Sequence, residues 1–254
     1  MKTSLSLFIG GTVCWALYVP WLESQKLLPA GAGYRESVSW TLWGGTACMV
    51  VASIVAFLFQ WKSIVRSFSS LGVIFSLSKK RKLTDVEKIE TPMSWFLTGQ
   101  LISLGALGYL AHTSFNVPYW MSCIAVVISF FLELVVCRIT GEANITPTGA
   151  MGKVTQLIFG GIAPGHVTAN LMAANITSGA SSSSADLLVD LKVGYLLGAN
   201  PRKQFIAQFS GIFLGTLVSV LAFRSMVPDA NALQAFNAPG ARTWAATAEA
   251  LGMG

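Results

Sequence analysis

Residues 139–201 read ITGEANITPTGAMGKVTQLIFGGIAPGHVTANLMAANITSGASSSSADLLVDLKVGYLLGANP. The reading of this stretch decides the fold. Between 141 and 200 it holds nine glycines and two prolines, together with Glu142, Lys153, His166, Asp186, Asp190 and Lys192. It also contains apolar pieces at 157–163 and 187–197. On one side lies VPYWMSCIAVVISFFLELVVC (117–137), whose one acid is Glu133; on the other lies QFIAQFSGIFLGTLVSVLAF (204–223), which carries no charge. Each flank has the roughly 20 apolar residues that a helix needs to cross a bilayer core about 30 Å thick.

Charge distribution places the polar stretch relative to the membrane. Seven of the seventeen basic residues lie between Lys62 and Lys88, including KKRK at 79–82. Such a cluster marks a cytoplasmic loop. Three further apolar segments, 4–22, 38–59 and 94–112, surround that loop. With 62–93 inside, segments one and two run out and back, and segments three and four do the same, ending at Arg138. The last segment starts at Arg202 and Lys203, also basic, so it too starts inside. Residues 139–201 are therefore expected to enter the membrane from the cytoplasm and return. Irregular backbone and charge at that depth persist only inside protein or beside a water-filled cavity.

Composition agrees. The chain is 53% hydrophobic and 11% charged, with a mean hydropathy of +0.61, whereas a soluble domain carries about 25% charge. This excludes a disordered chain, a fibrous protein and a soluble cytosolic enzyme. The net charge of +6 does not point to nucleic acid, because the basic residues gather in one loop. Cys14, Cys48, Cys123 and Cys137 sit in apolar segments without a CxxC pair or a histidine at ligand spacing; they read as packed thiols, and neither a metal site nor a cofactor is expected. No Ser–His or His–Glu–His grouping has catalytic spacing, so an enzyme is not expected.

Smaller signals refine the picture. Ile64, Phe68, Leu71 and Phe75 recur at helical spacing in 62–77 and predict an amphipathic interfacial helix. ANITPTGA (143–150) is echoed by ANITSGA (174–180), each setting Asn and Thr beside a predicted break. Ser183-x-x-Asp186 predicts a helix start, Gly198 a helix stop and Pro201 the next helix start. Gly211-x-x-x-Gly215 would allow close helix contact.

Candidate pathway residues follow from polarity at membrane depth. Glu142, Asn144, Thr146 and Thr148 bracket Pro147, and Glu142 could carry a proton or cap the cytoplasmic mouth. Lys153 and Gln156 are three apart and can face one cavity; Lys153 could hold a substrate carboxylate, pair with Glu142 or snorkel to the interface. Asn170 and Asn175 could line the path or bond a neighbouring helix. Asp190 and Lys192 could form an intramembrane ion pair. Glu133, His166 and Asp186 are possible proton-relay groups; Glu133 could instead pair with Arg138, and Asp186 could be only a cap. His112 reads as interfacial.

Two stretches, GEANITPTGAMGKVTQLIFGG (141–161) and NLMAANITSGASSSSADLLVDLKVGYLLGANPRKQFIAQ (170–208), resemble the signature region of the oligopeptide transporter (OPT) family, most closely its bacterial branch. The likeness spans residues 133–215 and, less strongly, 38–77. It implies a carrier of small peptides or metal–chelator complexes, proton-coupled, built from two repeated halves, with this chain corresponding to part of the C-terminal half. The missing half or a partner subunit would then complete it. The expected fold is all-α and polytopic, with about five spanning helices plus a broken, re-entrant helical hairpin. The expected divisions are 1–61 (two spans), 62–93 (amphipathic helix and basic loop), 94–138 (two spans), 139–201 (substrate-pathway segment), 202–225 (one span) and 226–254 (extracytoplasmic tail), in the plasma (inner) membrane. The expected function is secondary active transport, with lipid, protons and a small peptide or metal chelate as partners and no nucleic acid. A non-transporting membrane scaffold or remnant subunit is the alternative.

Overall fold

The computed structural model describes residues 2–29, 31–59, 61–62, 64–65, 89–143, 146–229, 232 and 238–252. Among these residues the regular structure is entirely helical. The amphipathic helix expected at 62–77 and the basic run at 79–82 fall largely outside the described residues, as does Asn144. Two compact units are present: Met1–Val51 with Ala238–Thr247, and Ala52–Asn237 with Ala248–Gly254.

In the first unit, α1 (Lys2–Thr12) continues through a π-helical turn (Val13–Tyr18) into α2 (Val19–Ser24). Pro20 lies in the first turn of α2, where its missing N–H is tolerated, and the wider turn before it keeps the rod continuous. Val19, Leu22 and Leu28 form a small core. Trp15 stacks on Tyr34 with ring centroids 5.6 Å apart. Tyr34 opens α3 (Tyr34–Phe59), whose last turns, from Ala52, belong to the other unit.

The second unit contains α4 (Met93–Phe115), α5 (Tyr119–Ala143), α6 (Thr148–Ile162), α7 (Val167–Leu196) and α8 (Pro201–Met226). α9 (Pro239–Gly252) ends the described chain. Among the described residues, four segments are long and apolar enough to cross a membrane: Ser4–Ser24, Glu36–Phe59, Tyr119–Glu142 and Pro201–Met226. The segment expected at 94–112 forms a helix of 23 residues, α4, which carries no Asp, Glu, Lys or Arg.

The polar stretch departs from its expected form in one important respect. It is interrupted at Pro147 before α6 and again between α6 and α7, but not within α7. α6 has 15 residues, about 22 Å at 1.5 Å per residue, too short to cross. It turns at Ala163–His166, where Pro164 stops the helix and Gly165 takes φ +82, a conformation open to glycine without strain. α7 then runs unbroken for 30 residues, about 45 Å. The helix start predicted at Ser183–Asp186 does not exist; both residues lie inside α7. The second echo, 174–180, is likewise interior helix and not a break, whereas the first abuts Pro147 at the start of α6. The predicted stop is present. Gly198 takes φ +73, its N–H bonds the Tyr195 carbonyl at 3.2 Å and the Ala199 N–H bonds Gly194 at 2.8 Å, which is the Schellman arrangement. Asn200 then caps α8, accepting from the Arg202 and Lys203 amides, with Pro201 in the first turn.

Tertiary packing keeps α7 helical. Ala173, Thr177, Ser181 and Ala185 recur every four residues and are all buried, making one stripe of small side chains. Such a stripe lets backbones approach closely and replaces the poor helix propensity of serine with interhelical contact. α5 and α6 both pack on α7. Phe159, Met121, Ala125 and Ala169 fill one shared core, and Leu132, Val136 and Met151 fill another.

Candidate functional site

Two polar centres lie within the α4–α8 unit. The first is between α6 and α7. Lys153 and Gln156 are both 0% exposed, and the Lys153 ammonium donates to Gln156 Oε1 at 2.8 Å. Their three-residue spacing on α6 makes that geometry available. Asn170 Nδ2 donates to the Gln156 carbonyl at 2.8 Å, tying α7 to α6. Asn170 Oδ1 is buried without a hydrogen-bond partner. Between them in sequence on α6, Thr155 Oγ1 lies 3.0 Å from Thr177 Oγ1, and Thr177 also donates to the Ala173 carbonyl at 3.1 Å. A lysine ammonium enclosed in this way does not snorkel. Nor does it take Glu142 as its counter-charge: Glu142 accepts from Arg138 Nε at 2.9 Å on the outer face of α5, with both side chains more than a third exposed.

The second centre surrounds Glu133 on α5. Its Oε1 accepts from the Ser181 hydroxyl at 3.0 Å, and its Oε2 is buried with no hydrogen-bond donor. The expected alternative partner, Arg138, is taken by Glu142. Glu133 lines a cavity of about 800 Å³ whose walls come from α4, α5, α7 and α8, with Gln100, Ser103, Ser129, Asn175 and Ser183 as polar lining. Asn175 therefore faces space, while its neighbour Thr177 is sealed against α6. Glu133 is the one charged side chain in that wall among the described residues. The sequence marked it as a possible relay; its hydroxyl partner, Ser181, lies just before the helix start predicted at Ser183 and so was not singled out. The four-residue spacing of small side chains is the signal that identifies Ser181 as buried.

The remaining candidates are dispersed. Thr146 accepts from Thr140 Oγ1 at 3.3 Å, close to the start of α6. His166 occupies the N-terminal cap position of α7 without making a side-chain cap bond, and is exposed. Asp186 and Asp190 are exposed on α7. Asp186 borders a groove against α8 that also contains Arg224. Asp190 and Lys192 do not form the expected ion pair; the Lys192 ammonium lies over the Tyr195 ring, 5.5 Å from its centroid. Gln204 bonds the Asp190 carbonyl at 2.9 Å and packs directly on Gly194. His112 Nδ1 lies 3.2 Å from the Val117 carbonyl, and its ring stacks on Tyr119. No group of three or more His, Cys, Asp or Glu residues able to hold a metal ion occurs among the described residues.

This arrangement, with buried polar networks among membrane-length helices, was compared with known proteins. The chain is 27% identical over 270 residues to the putative oligopeptide transporter YGL114W of Saccharomyces cerevisiae, covering 86% of this chain and 37% of that protein. It is 27% identical over 261 residues to the probable metal-nicotianamine transporter YSL8 of Oryza sativa subsp. japonica, covering 87% and 36%. It is 26% identical over 251 residues to the iron-phytosiderophore transporter yellow stripe 1 of Zea mays, again covering 87% and 36%. The chain thus spans a little over a third of the length of these curated relatives, which are fungal and plant proteins. The family profile described as OPT oligopeptide transporter protein matches residues 1–254, and the chain belongs to that family.

Proposed function

We propose that this chain forms part of a secondary active transporter that moves small oligopeptides or metal-chelate complexes across a membrane, coupled to protons. The observation that carries the reading is the cavity of about 800 Å³ that encloses Glu133 and a few neutral polar groups within a mainly apolar wall, set among helices long enough to span a bilayer. Buried ionisable groups are costly in membranes and collect along substrate and ion pathways. The cavity supplies the space, and the Lys153–Gln156–Asn170 network holds the short α6 against α7 beside it. The named substrates of the relatives, peptides and metal–nicotianamine or phytosiderophore complexes, support the substrate class.

The proposed path runs along α7, from the Thr146–Lys153 region of α6 past Asn170, Asn175 and Glu133 toward Asp190 and Lys192. Glu142, Asn144 and His166 would lie at its ends, and Asp186 beside the α8 groove. The segment divisions expected from sequence, the plasma (inner) membrane as location and the likeness to the bacterial branch belong to the same proposal. Other transporter helices, from a partner subunit or from another part of the same protein, would cover α8, which has no buried residue and leaves Gly211 and Gly215 facing open space.

The test is uptake into proteoliposomes. A mixed tetrapeptide pool and an iron–nicotianamine complex are offered with an inward proton gradient, with and without a protonophore. Gradient-driven uptake of either supports transport; no uptake of either, from correctly inserted protein, refutes it.

A further inference from the structure

The Glu133 cavity has a chemical character that narrows what it can bind. Its polar lining is neutral apart from one carboxylate. α4 contributes Gln100 and Ser103, α5 contributes Ser129 beside Glu133, α7 contributes Asn175 and Ser183, and α8 contributes Ile212. None of these helices brings Lys, Arg, His or a second acid to the wall among the described residues. A lone carboxylate among hydroxyl and amide oxygens favours a cation and disfavours an anion, because any charge in low dielectric is costly unless it is paired.

The kind of cation follows from the acceptors. The hard divalent cations take six or more oxygen ligands, often from several carboxylates, and no cluster of metal-holding side chains exists among the described residues. A primary ammonium has three N–H donors and no acceptor. It needs one anionic oxygen and two neutral oxygens, which Glu133 and the Ser, Asn and Gln side chains supply. Glu133 has spare capacity: Ser181 donates to Oε1 at 3.0 Å, and the enclosed Oε2 makes no hydrogen bond, with Ser184 beside the carboxylate in the same wall. The terminal torsion of a glutamate is broad, so a modest rotation turns Oε2 toward the cavity while Ser181 holds Oε1.

The geometry points to a subsite at Glu133 for the primary ammonium group of the transported molecule, with Ser181 fixing the carboxylate and the neutral lining accepting the remaining N–H groups. This deepens the proposed function and rests on it. The cavity orients the amino end of the cargo and rejects cargo whose amine is blocked.

The test uses the full chain, in the assembly in which it is purified from membranes, reconstituted in proteoliposomes. The probe is a mixed tetrapeptide pool with free amino termini, compared with the same pool N-acetylated, both read by mass spectrometry. The free pool enters at least about tenfold faster, the scale of losing one charge-assisted contact. Glu133→Gln removes the difference between the two pools whatever the overall rate; Glu133→Asp keeps part of the preference, and Ser181→Ala weakens it. Equal entry of the two pools in the unaltered protein overturns the subsite while leaving transport standing. So does a preference that survives Glu133→Gln, or one that millimolar sodium or potassium erases, which would assign the carboxylate to an inorganic cation. Entry of neither pool nor a metal chelate overturns the proposed function and the subsite together. The comparison in unaltered protein decides the matter even where Glu133→Gln fails to fold.

Discussion

Lys153 offers a prediction of unequal effects at two touching residues. Its ammonium donates to Gln156 Oε1 at 2.8 Å, and both side chains are fully buried. Lys153→Met removes the charge at nearly constant volume. Replacing both members of a buried charged contact with apolar groups of similar shape is neutral or stabilising by about 1–4 kcal/mol; Lys153→Met alone relieves the buried ion but leaves Gln156 Oε1 without its ammonium donor, which offsets part of that gain. Gln156→Leu keeps the ammonium and removes one of its acceptors, which costs about 1–3 kcal/mol. At about 2–4 °C per kcal/mol for a chain of this size, thermal unfolding in detergent should fall by roughly 2–12 °C for Gln156→Leu. Lys153→Met should leave it near level, and the double variant, which orphans neither partner of this bond, should sit at or above Lys153→Met. A fall for Lys153→Met as large as that for Gln156→Leu would refute the reasoning, because the lysine would then stabilise the fold outright. The functional half follows: a lysine kept without a gain in stability is kept for transport, so Lys153→Met should lower uptake while the protein remains folded.

Three further outcomes are expected. A double-mutant cycle on Thr155→Val and Thr177→Val, hydroxyls 3.0 Å apart, should give a coupling of about 0.6 kcal/mol and no more than about 1.7, the range for hydrogen bonds between membrane helices; a larger value would mean the pair organises more than itself. Gly194→Ala should push Gln204 off the Asp190 carbonyl and speed hydrogen exchange across 190–204; unchanged exchange would show that Gln204 does not brace this turn. Gly160→Ala places a methyl 3.1 Å from Leu251 Cβ, so it should destabilise by about 1–3 kcal/mol of overpacking, with Leu251→Ala relieving it; no relief would detach α9 from α6.

The apolar spans were legible because their signal is additive: Tyr119–Glu142 and Pro201–Met226 follow from length and lack of charge alone. The stop at Gly198 and the start at Pro201 were legible because they are local backbone chemistry. The continuity of α7 was not. Residues 174–186 hold five serines and one glycine, and propensity there argues for a break; the helix persists because Ala173, Thr177, Ser181 and Ala185 seat against neighbouring helices, a tertiary effect that local reading underweights. The same cause hid the site. Lys153 read as a candidate to snorkel because its position on a short buried helix depends on α7 being whole. Glu133 read as a partner for Arg138 because both sit on α5, yet Arg138 at one turn's distance serves Glu142, while Ser181, 48 residues away, serves Glu133.

The account rests on the polar stretch lying at membrane depth, shielded by neighbouring helices. Single cysteines placed from 146 to 192, in a background with Cys14, Cys48, Cys123 and Cys137 replaced, test this directly with membrane-impermeant thiol reagents in intact vesicles. Cysteines at Thr155, Gln156, Asn170 and Thr177 should stay unreactive, and those at the cavity-lining Asn175 and Ser183 should react slowly and be protected by substrate. Rapid labelling of every position from one side would place the stretch in bulk water and contradict the account.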